Sequence, residues 1–163
     1  MDHDPIVAFI PNLRRYARAL VGERDGADDL VQDTLERAVR KFHLWRPGDL
    51  RAWLFAIMHN VFVNHLRSRR IAPDVEIDDS FPASVPGATG DDIRDLQRAL
   101  AALAPEQREV LLLVALEDMS YAEVSRALGI PMGTVMSRLS RGRERLRRAL
   151  GAEPARGGLR AVP

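Results

Sequence analysis

From residue 71 to residue 90 the helical rhythm that fills most of the chain stops. Pro73, Pro82 and Pro86 fall in this stretch with Gly87 and Gly90. Prolines at that density cannot occupy helix interiors, because each removes a donor and clashes with the preceding turn. From residue 71 to residue 95 the chain also carries seven acids (Asp74, Glu76, Asp78, Asp79, Asp91, Asp92, Asp95) against Arg94 alone, a net charge of −6 that repels compaction. The 163 residues therefore divide into two helical units, 5–70 and 92–150, joined by a flexible acidic linker at 71–91. A tail at 151–163, rich in Gly, Pro and Arg, is expected to be disordered. With 46% hydrophobic residues there is apolar material for a real core, and no segment shows the strict alternation of a strand. The expected fold class is all-α, two small helical domains.

Local signals place the helices. In the first unit Ile6, Phe9/Ile10, Leu13, Tyr16/Ala17 and Leu20 form one apolar stripe at helical spacing. Ala27, Leu30/Val31, Leu35, Ala38/Val39 and Phe42 form a second, with Asp25 as its expected N-cap. A break follows at Arg46-Pro47-Gly48. Asp49 then caps a third helix whose Trp53/Leu54, Ile57/Met58, Val61 and Leu66 face inward, and which runs to Arg67, Arg69 and Arg70. The second unit holds four segments. One runs from about Asp92 to Leu103, and Pro105 suits the first turn of the next. Ser120-Tyr121-Ala122-Glu123 is a capping box, Gly129 can end the short helix it opens, and Pro131 helps start the fourth.

The charge of the two halves differs. From residue 120 to residue 160 nine arginines and no lysine face Glu123, Glu144 and Glu153, a net of +6 that points to a polyanion such as nucleic acid. A short capped helix, a glycine turn and a longer arginine-studded helix make a helix-turn-helix pattern, whose second helix enters the major groove. Val135, Leu139 and Leu146 share the inward stripe. Met136, Ser137, Ser140 and Arg141 share another face, where Arg141 could donate two hydrogen bonds to guanine and Met136 could make only apolar contact. Arg138 and Arg143 are better placed for phosphates. In the first unit, Asp28, Asp29, Gln32, Asp33 and Glu36 form an acidic patch, part of which also suits the positive end of a helix dipole. Asn60 and Asn64, one turn apart beside His59, Phe55 and Phe62, would suit an unpaired DNA strand, although each phenylalanine alone reads more simply as core.

Other functions are excluded or lack support. With no cysteine there is no disulfide, thiol catalysis or thiolate zinc site. His3, His43, His59 and His65 lack ligand spacing, with His59 and His65 facing different directions on one helix, so no metal site is expected. No glycine-rich phosphate loop is present, and neither catalysis, a cofactor nor a small-molecule substrate is expected. No apolar run is long enough to span a membrane, so membrane insertion is not expected, and the acidic start lacks a secretory signal. The chain reads as cytoplasmic. A pure adaptor for other helical proteins sits poorly with the arginine-rich helix.

Two motif blocks resemble a known family. Residues 27–38 (ADDLVQDTLERA) resemble the core-polymerase-binding helix of bacterial sigma factors, and residues 46–55 (RPGDLRAWLF) with His59-Asn60 resemble the adjoining promoter-melting segment. Residues 105–113 (PEQREVLLL), 119–124 (MSYAEV) and 129–143 (GIPMGTVMSRLSRGR) resemble region four of the sigma-70 family. The two-unit layout, over about residues 6–150, is similar to the extracytoplasmic-function (ECF) subfamily. The resemblance implies a protein that binds core RNA polymerase, directs it to promoter DNA and helps open the duplex, with an anti-sigma factor as restraining partner. It assigns Asp28, Asp29, Gln32, Asp33 and Glu36 to core polymerase. Trp45, Arg46, Asp49, Asn60, Asn64 and Arg67 fall to the minus-ten element, with a flipped base held by the 44–49 loop. Thr134, Met136, Ser137, Arg138, Ser140, Arg141 and Arg143 fall to the minus-thirty-five element. Met136 stands where the family commonly has a basic residue, and the loop before Leu50 is slightly shorter than many. The alternative is a helix-turn-helix regulator that does not act as a sigma subunit, which would leave the acidic helix and Asn60/Asn64 without a role.

Overall fold

The computed structural model describes residues 4–68 and 90–151. Among the described residues eight α-helices run in the order α1 (Asp4–Val7), α2 (Ile10–Val21), α3 (Arg24–Lys41), α4 (Leu50–Arg67), α5 (Gly90–Ala101), α6 (Pro105–Ala115), α7 (Tyr121–Leu128) and α8 (Met132–Ala149), with a 3₁₀ turn at Phe42–Leu44. There is no strand among the described residues. Most of the linker and tail, with Arg69 and Arg70, lie outside the described residues.

The caps explain the boundaries. Asp49 accepts the Ala52 N–H at 3.1 Å and opens α4 as expected. Ser120 and Glu123 form the full capping box of α7, at 3.1 and 2.8 Å. Gly129, at φ +66, ends α7 in the left-handed region that its missing Cβ makes accessible. Pro105 lies in the first turn of α6.

Two local expectations need correction. The first stripe is two helices rather than one, because Pro11 sits in the first turn of α2 and cannot continue α1. Glu23, and not Asp25, caps α3: Gly22 leaves α2 at φ +83, Glu23 becomes extended, and its carboxylate accepts from Asp25 N–H at 3.0 Å and Gly26 N–H at 2.9 Å. Phe55 and Phe62 are core residues, as each reads when taken alone, 2% and 1% exposed.

Within the first unit α3 packs on α2 and α4; within the second, α8 packs on α5, α6 and α7. The two units also pack on one another, α4 against α7 and α2 against α5 and α6. One apolar cluster is continuous across both, from Ile6, Leu13 and Leu54 to Val110, Val124 and Leu139. This accounts for the two phenylalanines. Helix α4 lies between α3 and α7 and must be apolar on two faces; Phe55 meets the Tyr16 ring edge-on at 5.0 Å.

Candidate nucleic-acid and partner interfaces

On α3 the buried face, Ala27, Leu30, Val31, Thr34 and Ala38, packs inward. The opposite side leaves Asp28, Asp29, Gln32 and Glu36 exposed and Asp33 half-buried. With Glu23 and Asp25 most of these line a shallow acidic depression at the start of α3. Asp33 is held from behind, its Oδ2 2.7 Å from Nε2 of His65, which is 2% exposed. Donor atoms of Asp29, Asp33 and His65 lie within 4.8 Å of one another. Sequence spacing hid this group, because thirty-two residues of chain separate Asp33 from His65.

The turn between α3 and α4 carries the second candidate surface. Trp45 stacks on Phe42 with ring centroids 5.5 Å apart, and Phe42 meets Trp53 at 6.3 Å. This aromatic base leaves Leu44 59% exposed and Arg46, Pro47, Gly48 and Asp49 at the surface. Along α4, Asn60, Asn64 and Arg67 are all exposed at spacings of four and three, so they form one line on the helix surface. His59 does not join them, since its Nδ1 lies 2.7 Å from Glu109 Oε2 on α6. The two α4 histidines thus face different helices, as their spacing implied.

The third surface is α8. Ser125 Oγ donates to Ile130 O at 2.6 Å and ties the turn that sets α8 against α7. Val135 and Leu139 are buried, Leu146 packs against the core, and Gly142 is buried where α8 meets Gln107 of α6. Met136, Ser137, Ser140 and Arg141 are exposed together, while Thr134, Arg138 and Arg143 are half-buried. Ser137 Oγ donates back to Thr134 O at 3.3 Å. The positive charge of Arg138 acts on Glu109.

Between the units lies a polar seam that sequence reasoning missed. Arg108, 8% exposed, donates to Leu100 O (2.8 Å), Leu103 O (2.8 Å) and Ala101 O (3.3 Å) at the end of α5, and to Leu20 O (2.9 Å) near the end of α2. Its burial lowers the guanidinium pKa from the usual value. Gln97 donates to Gly22 O at 3.1 Å. Burial also pushes the Glu109 carboxyl up, opposed by the hydrogen bond and charge of His59. Glu117, whose side chain is fully buried, accepts from Asn12 and Arg15, both at 3.3 Å. It sits at the α6–α7 corner beside Asp118, whose φ is +54. Arg51 donates to Glu117 O at 2.9 Å and to Glu123 Oε2 at 3.2 Å.

Comparison with known proteins follows the same division. Residues 6–59 match the family described as the Sigma2 domain of PhyR, and residues 93–146 match Sigma-70, region 4. ECF RNA polymerase sigma factor EcfG of Rhodopseudomonas palustris (strain TIE-1) is 38% identical over 148 residues, covering 88% of this chain and 81% of that protein. The chain belongs to the ECF RNA polymerase sigma factors. ECF RNA polymerase sigma factor SigM of Mycobacterium tuberculosis (strain ATCC 25618 / H37Rv) is 34% identical over 140 residues, covering 85% of this chain and 71% of that one. Among solved structures, the sigma factor RpoE from Bartonella quintana, crystallised with the anti-sigma factor NepR, is similar with a TM-score of 0.78 at 31% identity, over 92% of this chain and 96% of that one. CnrH in complex with the cytosolic domain of CnrY is similar with a TM-score of 0.68 at 25% identity, over 91% of this chain and 86% of that one. Among the described residues of this sigma factor, no helix is long and apolar enough to cross a membrane.

Proposed function

We propose that this ECF sigma factor binds core RNA polymerase through the outer face of α3 and reads promoter DNA at two separate surfaces. Asp28, Asp29, Gln32, Asp33 and Glu36 present carboxylates and an amide to a basic partner surface, which favours docking by charge complementarity. The 44–49 loop, with Trp45, Arg46 and Asp49, receives an unstacked base of the minus-ten element, and Asn60, Asn64 and Arg67 contact the neighbouring strand. Thr134, Met136, Ser137, Ser140 and Arg141 address base edges and nearby backbone at the minus-thirty-five element, with Arg138 and Arg143 toward phosphates.

The observation that carries this reading is the exposure of all three polar surfaces on a chain whose apolar stripes are mostly buried. Such a protein works by binding, with polymerase supplying the chemistry, and it works in the cytoplasm where transcription takes place. Residues 5–70 and 92–150 act as the two recognition units, linked by 71–91 and followed by the 151–163 tail. The similarity to RpoE and CnrH, each solved with a partner, supports an anti-sigma factor as a further partner.

Run-off transcription on genomic DNA, with bacterial core polymerase plus or minus this protein, tests the reading. Discrete protein-dependent transcripts are expected. Specific DNA binding without transcripts would replace this reading with a helix-turn-helix regulator.

A further inference from the structure

The names of the two promoter elements imply centres about 25 base pairs apart, or roughly 85 Å along a duplex rising about 3.4 Å per pair. A compact chain of this length is only about 40 Å across. The closed arrangement described above therefore cannot touch both elements at once, and the seam must part when promoter DNA is bound. What each seam residue does after parting depends on which unit its partners belong to.

Arg51 stands out on that criterion. It is the second residue of α4, immediately after the loop and cap that form the minus-ten surface. Its side chain is 28% exposed, so it is not a buried structural arginine. Both of its hydrogen bonds go to the other unit, one to Glu117 O and one to the Glu123 carboxylate. Glu123 is itself fixed, since its other oxygen accepts the Ser120 N–H of the capping box. That backbone bond, before the contribution of Arg51, holds its carboxyl down at about 2, so it is anionic at neutral pH. The closed protein thus places a rigid anion on an arginine at the edge of the loop expected to hold single-stranded DNA.

We propose that Arg51 is a DNA-phosphate contact of the minus-ten surface and that Glu123 occupies it in the closed protein, standing where a backbone phosphate sits once the units part. This rests on the reading of the 44–49 loop as a minus-ten site. Closure then hinders strand binding twice: it occupies the arginine, and it brings a carboxylate beside the loop. Opening releases the cation and removes the anion in one movement.

The test is binding of the full-length protein, without polymerase, to a short fluorescein-labelled single-stranded DNA of mixed sequence, read by anisotropy. E123Q is suitable because glutamine at that position still completes a capping box, and a thermal melt checks that α7 is retained. E123Q is expected to bind about two- to fivefold more tightly than wild type, the factor set by losing one half-exposed ion pair from the closed state. Adding R51Q is expected to abolish that gain and to lower the salt slope by about one. E106Q, the same charge change at an exposed site in the first turn of α6, controls for net charge and is expected to bind as wild type does. Equal binding by E123Q and wild type would overturn the proposal. So would a gain that persists in the double variant, or one matched by E106Q. Because the probe is sequence-independent, run-off transcription by the wild type is a separate readout: its failure would remove the sigma reading without altering these ratios.

Discussion

Replacing Arg108 with methionine should be among the most damaging single changes outside the apolar core. The guanidinium reaches four main-chain carbonyls, three at 2.8–2.9 Å and one at 3.3 Å, and is 8% exposed. Methionine fills much of the volume but takes this donor from Leu20 O, Ala101 O and Leu103 O, while Leu100 O keeps the Leu103 N–H at 3.1 Å. A buried acceptor left unmade costs about 1–3 kcal/mol. The two short bonds to Leu20 O and Leu103 O, with the longer one to Ala101 O, therefore set a gross loss of several kcal/mol. Part is returned, because burying the charge was itself unfavourable, as the lowered Arg108 pKa shows. The net expectation is about 2–4 kcal/mol, the cost of the unmet carbonyls less what is recovered by no longer burying the charge. Against a total stability of about 5–15 kcal/mol, that is a large share. Equilibrium urea unfolding, followed by circular dichroism and by fluorescence of Trp45 and Trp53, measures it. Both probes should shift together, since the network ties Leu20 of the first unit to the second. A loss below about 1 kcal/mol would refute the reasoning and mean that water or repacking satisfies those carbonyls.

Other outcomes follow from the same geometry. Glu109 has a folded pKa above the ordinary 4.5, so the folded state holds its proton longer than the unfolded chain does. Its contribution therefore falls as pH rises from that value through the raised one, and E109Q, which keeps an oxygen for His59, should flatten that part of a stability–pH profile; superimposable profiles would disprove it. The pair Asp29→Arg with Gln32→Ala should weaken core-polymerase binding by at least about tenfold through charge reversal on α3, with an unchanged melting temperature; undiminished binding would remove that assignment. Arg141→Ala should cost about 1–3 kcal/mol of discrimination between promoter sequences in a competition assay, whereas equal weakening on all sequences would make it a phosphate contact.

What could be read in the sequence was mostly local. Asp49, the Ser120/Glu123 box, Pro105 and Gly129 act on their own turns, and each marks its boundary in the structure. Where two local choices competed, the reading went wrong: Asp25 is a good cap, but left-handed Gly22 makes Glu23 the residue in position. The three exposed surfaces were legible because solvent-facing residues follow from helical period once the apolar stripe is found. The seam was not, since period shows which face is buried and not what covers it. A trace of it was present all the same. Phe55 and Phe62 fall outside the main stripe of α4, and Val110, Leu111, Leu112 and Leu113 are buried in succession on α6, a pattern that helices covered on more than one side require. The His65–Asp33 and His59–Glu109 contacts join distant parts of the chain, and no spacing rule reaches them.

The shared core also sets an order of events at the ribosome. The N-terminal helices emerge first, and α2 and α4 then carry apolar faces whose partners, α5, α6 and α7, have not been made. At about 5–20 residues per second that interval is on the order of ten seconds. During it the nascent chain offers a sticky, half-covered surface with no second unit yet made to cover it. Whatever reaches that surface in this window, whether a chaperone or a neighbouring nascent chain, competes with the protein's own second half.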